Sequence, residues 1–148
     1  MSRIRRILHA TDFSPASRAA FRRAVEMATA NRAELLLAHV MSPVVIPVAD
    51  GYISADVYDR IEASTRAASR KQLEALLARA RKAGARARTL LLDGIAHERI
   101  VRAARANHAD VIVIGTHGRT GLAKLFLGSV AARVLAVAPC PVLTVRGR

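Results

Sequence analysis

Apolar residues along the chain fall into five short runs, separated by four longer stretches in which they recur at helical spacing. The first run, Ile4 to Ala10, has basic residues only near its start. The second, Glu34 to Val40 (ELLLAHV), is nearly continuous, as expected of a strand buried on both faces. Ala85 to Leu92 (ARARTLLL), Val111 to Ile114 and Val142 to Val145 complete the set. The last is introduced by an Ala-Pro-Cys-Pro break. Between the first two runs, Asp12 or Ser14 is placed to cap a helix and Pro15 suits its first turn. That helix runs to about Ala30, with Ala19, Ala20, Ala24, Met27 and Ala28 on one side. Asp56 to Lys82 predicts the longest helix, with Ile61, Leu73, Leu76 and Leu77 on its buried side and Gly84 ending it. Ile95 to Asn107 and Ser129 to Ala138 predict two more. Ser42 to Ser54 (SPVVIPVADGYIS), with Pro43, Pro47 and Gly51, predicts a loop. Strands alternating with helices in this way imply a parallel sheet covered on both faces.

Composition narrows the picture. The 148 residues fit one domain, 1–148. Apolar residues make up 52 % but aromatics only 3 %, so the core must be built from Ala, Val, Leu and Ile. No apolar run approaches the roughly 20 residues a membrane helix needs, so no membrane role is expected. The basic N-terminus reads as the first strand and not as a signal peptide. The single Cys140 excludes an internal disulfide, fits a reducing cytoplasm, and between Pro139 and Pro141 suits a structural role. The formal net charge of +13 would suit a polyanion. The arginines, however, spread over several helices (Arg18, Arg22, Arg23; Arg66, Arg70; Arg79, Arg81), as solvated faces do. Neither interleaved aromatics nor a nucleic-acid motif accompanies them, so nucleic acid is not the favoured partner.

Parallel α/β sheets bind ligands beyond the carboxyl ends of their strands, at a switch point. Two segments qualify: Ala10, Thr11 and Asp12 after the first strand, and Gly115 to Gly118 after the fourth. From Gly115 the spacing is two residues, Gly118, nine residues, Gly128, then Ser129. Glycines permit positive φ and close approach of a ligand to backbone N–H groups. Gly128 and Ser129 stand where the last helix begins, and a helix N-terminus attracts phosphate. Arg119 and Lys124 supply cations nearby. The pattern is neither a Walker A loop nor the dinucleotide fingerprint GxGxxG. On spacing alone, turn formation and phosphate binding both remain open.

The stretch GTHGRTGLAKLFLGS matches G-2x-G-9x-G-[ST] without a gap, and with it the chain resembles the nucleotide-binding branch of the universal stress proteins, UspA-like. ILHATDFSPAS, LLLAHV, GIAHERIVRAARANHADVIVIGTHGR and CPVLTV extend the likeness over nearly the whole chain. The resemblance implies a single-domain α/β fold, Rossmann-like and of the adenine nucleotide alpha hydrolase type. Its five-stranded parallel sheet would have the order 3-2-1-4-5, with helices on both faces. It implies ATP over the ends of the first and fourth strands. Thr11 and Asp12 would lie at the adenine or ribose side, and Val40 would meet adenine through its main chain. Gly115, Gly118, Gly128 and Ser129 would line ribose and phosphates, and Val130 would add a backbone donor. Arg119 fits a ground-state phosphate ligand. It further implies a homodimer through Val142–Val145, which would cover an exposed sheet edge. Ser42 to Ser54 matches no motif of the family.

The remaining chemistry is sparse. Asp12 serves a ligand or caps the following helix. His117 lies inside the glycine loop, but no partner acid for a general-base pair is placed beside it by the sequence. His9 and His39 sit at strand positions, and His97 and His108 flank one helix. No HExxH or CxxC spacing points to zinc, and any magnesium is expected to arrive with the nucleotide. Ser14 and Ser17 lack a GxSxG elbow. The favoured expectation is an ATP-binding, cytoplasmic, dimeric stress-response module with little or no hydrolysis. The alternatives are a slow ATPase or phosphoryl-transfer protein using His117, Arg119 and Ser129, and a basic polyanion-binding module.

Overall fold

A computed structural model describes residues 2–43, 51, 53–117 and 127–147. Five strands alternate with four helices: β1 (Arg6–Ala10), α1 (Ser17–Asn31), β2 (Glu34–Met41), α2 (Ala55–Lys82), β3 (Arg86–Asp93), α3 (Ala96–Ala106), β4 (Val111–Gly115), α4 (Ser129–Val137) and β5 (Val142–Val145). All strand pairs are parallel and the order is β3-β2-β1-β4-β5, as expected. The order puts β1 between β2 and β4, with Ala10 level with Ala38 on one side and Ile114 on the other.

Each face of the sheet carries a pair of helices. On one, Ile7, Leu35, Leu37 and Val113 pack under α1 and α2 through Phe21, Ala24 and Leu73. On the other, Leu8, Leu36 and Ile112 pack under α3 and α4 through Ile100, Ala104 and Val134. Alternation along each strand thus sends apolar side chains both ways, which is why these runs lack polar positions. Full burial of one such Leu or Ile contributes about 1.5–3 kcal/mol.

Local details depart from expectation at three points. First, α1 begins at Ser17, after Pro15; its N-cap Ala16 makes no side-chain cap, and of the two candidates it is Ser14 whose hydroxyl accepts the Ser17 N–H, at 3.3 Å. Second, Ile61 is 37 % exposed, and the buried residues of α2 are Ser69, Leu73 and Ala80, in its second half. Third, Phe21 and Val25 join Ala20, Ala24 and Ala28 on the buried face of α1, a wider stripe than the alanines alone suggest. By contrast α2 has a cap: the Ser54 side chain accepts from the Val57 N–H. Its far end turns at Gly84, where a φ of 92° suits glycine. Most of the expected Ser42–Ser54 loop lies outside the described residues.

Candidate functional site

At the carboxyl end of β1 the chain makes a tight turn held by side chains. The Thr11 N–H donates to Ala38 O, so Thr11 still belongs to the sheet. Its hydroxyl oxygen accepts the Phe13 N–H at 3.0 Å and lies 3.1 Å from the Ser17 hydroxyl. Ser17 gives its own proton to Ser14 O at 2.8 Å, so Thr11 is the donor between the two hydroxyls. Thr11 therefore spends its side chain on the turn. The Asp12 carboxylate accepts the Ser14 N–H at 3.0 Å and the Ser14 hydroxyl, a turn of the kind Asp favours. The residue between them, Phe13, sits at φ 64°. That left-handed conformation is unusual for a bulky side chain.

Beside this turn stands the end of β4. Thr116 donates its N–H to Val145 O on β5, and its carbonyl accepts the Gly128 N–H at 2.6 Å. The start of α4 is thereby tied to the end of β4. Gly128 is the N-cap, with φ −58° and ψ 154° and no side-chain cap. No acid stands in the first turn of α4. The leading N–H groups of a helix have no intrahelical partner and carry partial positive charge. That charge meets no carboxylate from α4 itself, an arrangement suited to an anion.

The two loop glycines that can be placed do not work as flexible residues. Neither Gly115 nor Gly128 has positive φ. A Cβ on Gly115 would lie 3.4 Å from Ala16 O and 3.6 Å from Ser17 Cα. These are ordinary contact distances, and they show the start of α1 standing beside the end of β4, so that the two loops share one rim.

The sequence pattern of the universal stress protein family matches residues 3–146. The chain belongs to this family. Universal stress protein A homolog 1 of Coxiella burnetii is 38 % identical over 141 residues, covering 94 % of each chain. A solved universal stress protein in complex with cAMP is 26 % identical, with a TM-score of 0.73, over 99 % of this chain and 100 % of that one. The universal stress protein of Archaeoglobus fulgidus in complex with dAMP is also 26 % identical, with a TM-score of 0.67, over 98 % and 100 %.

In this universal stress protein, β1–β4 pairing brings Thr11 and Asp12 beside Gly115, and the Thr116–Gly128 bond brings Gly128, Ser129 and Val130 to the same rim. Ser129 is exposed; Val130 is half-buried. Val40 lies farther along: β2 continues through Met41 on its β3 side after its pairing with β1 ends at Ala38. Gly118 and Arg119, with Lys124, lie outside the described residues. Among the described residues no group of three or more His, Cys, Asp and Glu is placed to hold a metal ion. His117 Nδ1 lies 2.9 Å from the Thr116 hydroxyl.

Two further residues shape the rim without a motif to announce them. The His39 and Phe13 rings lie 4.3 Å apart, and His39 Nδ1 is 2.8 Å from Thr11 O. The pair links the turn after β1 to β2. Beneath it His9 is fully buried, with Nδ1 3.0 Å from Val113 O and, among the described residues, no partner for Nε2. Burial pushes its pKa down to about 4, against smaller upward pulls from the Val113 carbonyl and the Asp12 charge. Burial also pushes the Cys140 thiol up, away from thiolate reactivity.

Proposed function

We propose that this universal stress protein binds ATP, carried with magnesium, across the carboxyl ends of β1 and β4. The observation that carries the reading is the Gly128–Thr116 hydrogen bond, which holds the uncapped start of α4 against the switch point between β1 and β4. A triphosphate there would meet backbone donors at Ser129 and Val130, with Gly115, Gly118, Arg119 and Gly128 around it. Asp12, with Thr11 holding its turn, would face the ribose or adenine side. The main chain of Val40 lies where β2 outruns β1, a stretch suited to reading adenine by backbone bonds. Adenine nucleotides in related solved structures support the ligand class.

The nucleotide acts as a regulatory ligand in a single-domain, cytoplasmic stress-response module, with little or no hydrolysis. Such a ligand changes the protein only through unequal affinity for two states. His117 Nδ1 faces the Thr116 hydroxyl at 2.9 Å. The module works as a homodimer joined through β5, whose edge is short and apolar.

Calorimetric titration with MgATP tests the site. An alanine fits the backbone of Gly128 at φ −58°, so Gly128→Ala should fold and bind poorly, and Gly118→Ala likewise. A folded wild type that takes up no ATP would overturn the proposal.

A further inference from the structure

A cavity of about 510 Å³ opens at the opposite end of the sheet, among Arg3, Ala28, Arg32, Ala33, Gly84 and Arg86. It lies where α1 ends and β3 begins, at the amino ends of the strands. The candidate nucleotide site is a strand length away, roughly 20 Å. Its wall includes the buried Ala28 and Ala33, and its three arginines are exposed.

The arginines of this chain with described carboxylate partners lie elsewhere. Arg6 and Arg88 share the Glu34 carboxylate, at 3.7 and 3.0 Å. Arg23 pairs with Glu26, and Arg66 with Asp93 and Glu62. No described hydrogen bond or ion pair involves the side chain of Arg3, Arg32 or Arg86, and among the described residues no acid borders the cavity. Complementing the end of α2 does not require them, since Arg79, Arg81 and Lys82 occupy its last turn. Thr29, also on the wall, turns its hydroxyl back onto Val25 O and Glu26 O of α1, so recognition falls to the guanidiniums.

We infer that this cavity is a second anion site, separate from the nucleotide crevice, and that it takes an oligophosphate. Three like charges around one opening repel, and an anion among them removes that repulsion. Guanidiniums suit phosphate because their forked donors match its oxygens. The volume exceeds what one phosphate fills and falls in the range of small-molecule sites. A run of two or three phosphates supplies enough charge for all three arginines. The same chemistry is offered by free inorganic oligophosphate and by the phosphate end of a nucleotide.

The test is calorimetric titration with inorganic tripolyphosphate at moderate salt. The variants are Arg3→Gln/Arg32→Gln/Arg86→Gln and a charge-matched control, Arg70→Gln/Arg102→Gln/Arg105→Gln, on exposed faces of α2 and α3. Each lost guanidinium should weaken binding about tenfold at the cavity, whereas the control should stay within about twofold of wild type. Equal losses in both variants would reduce the effect to net charge and overturn the site. So would absence of binding to folded wild type. Unaltered tripolyphosphate binding by the cavity variant would overturn it as well. Titrating ATP into Gly118→Ala/Gly128→Ala separates the sources. Affinity equal to tripolyphosphate assigns the cavity to free oligophosphate, and tighter, cavity-dependent binding assigns it to nucleotide-borne phosphate. MgATP binding to the cavity variant reads the crevice independently.

Discussion

At one edge of the sheet β3 runs eight residues from Arg86 to Asp93; at the other, β5 runs four and carries no charge. Two of the three charges on β3 are engaged: Arg88 reaches Glu34 and Asn107, and Asp93 holds Arg66 of α2. The apolar side chains near β5 are not enclosed. Leu143 is 36 % exposed, and Leu135 and Val137 on α4, the helix leading into it, are 46 % and 55 % exposed. A long edge dressed with charges resists pairing with another chain, and a short apolar edge invites it. The contrast supports β5, and not β3, as the edge that meets a second copy. Both edges differ again from the centre, where β1 has strands on both sides and helices above and below.

The largest effect should come from the centre. Leu36→Ala removes a fully buried side chain and should destabilise the protein by about 2–5 kcal/mol in denaturant unfolding. Leu143→Ala at the edge should cost well under that in dilute solution; equal losses would erase the distinction between centre and edge.

The centre also contains a pH-dependent element. An unfolded histidine titrates near 6.5 and the buried His9 near 4. Below pH 6.5 the unfolded chain takes up a proton that the folded chain resists. Stability is therefore undiminished by His9 above pH 6.5 and falls as pH drops towards 4, by up to about 3 kcal/mol. His9→Gln should flatten that slope in unfolding curves measured across the window, even where it lowers stability throughout. A slope unchanged by the substitution would assign the acid sensitivity elsewhere.

At the edges themselves, Leu143→Lys should shift sedimentation towards monomer while leaving the melting profile of the monomer nearly unchanged. Arg88→Leu, on the other edge, should not change the assembly. The reverse pattern would move the interface to β3. The smallest effect belongs to Asp93→Asn. The Arg66–Asp93 pair is 2.7 Å long but exposed, so thermal melting should barely move, and any shift should fade with salt.

Much of the fold was legible because burial on both faces leaves a plain mark. ELLLAHV and VLTV fall on β2 and β5 almost residue for residue, and alternation with helices leads directly to a parallel sheet. Element ends were less legible. Pro15 looks like a helix start, yet the turn Thr11–Ser17 consumes it, because hydroxyl contacts between residues six apart are invisible to local pattern. Ile61 has the right spacing for burial, but α2 buries side chains only from Ser69 onward. At the candidate site, the glycine spacing suggested flexibility, yet neither Gly115 nor Gly128 has positive φ. The Gly115 backbone stands in contact with the start of α1, a tertiary neighbour that local pattern does not announce. His39 and Phe13 left no signal, since their contact depends on a left-handed Phe13.

The place of β1 in the middle of the sheet has a consequence during synthesis. Its partner β2 follows closely, but Ile7 is level with Val111, which the ribosome delivers much later. Twenty-two residues separate the end of β3 at Asp93 from the end of β4 at Gly115. At translation rates of about 5–20 residues per second, that interval lasts about 1–4 s. Until it passes, the growing chain holds an incomplete sheet whose first-made strand is still an open edge. The strand that ends in the middle of the sheet thus waits for the fourth strand to be enclosed, and a nascent chain stalled between β3 and β4 leaves its edge open to pairing with other chains.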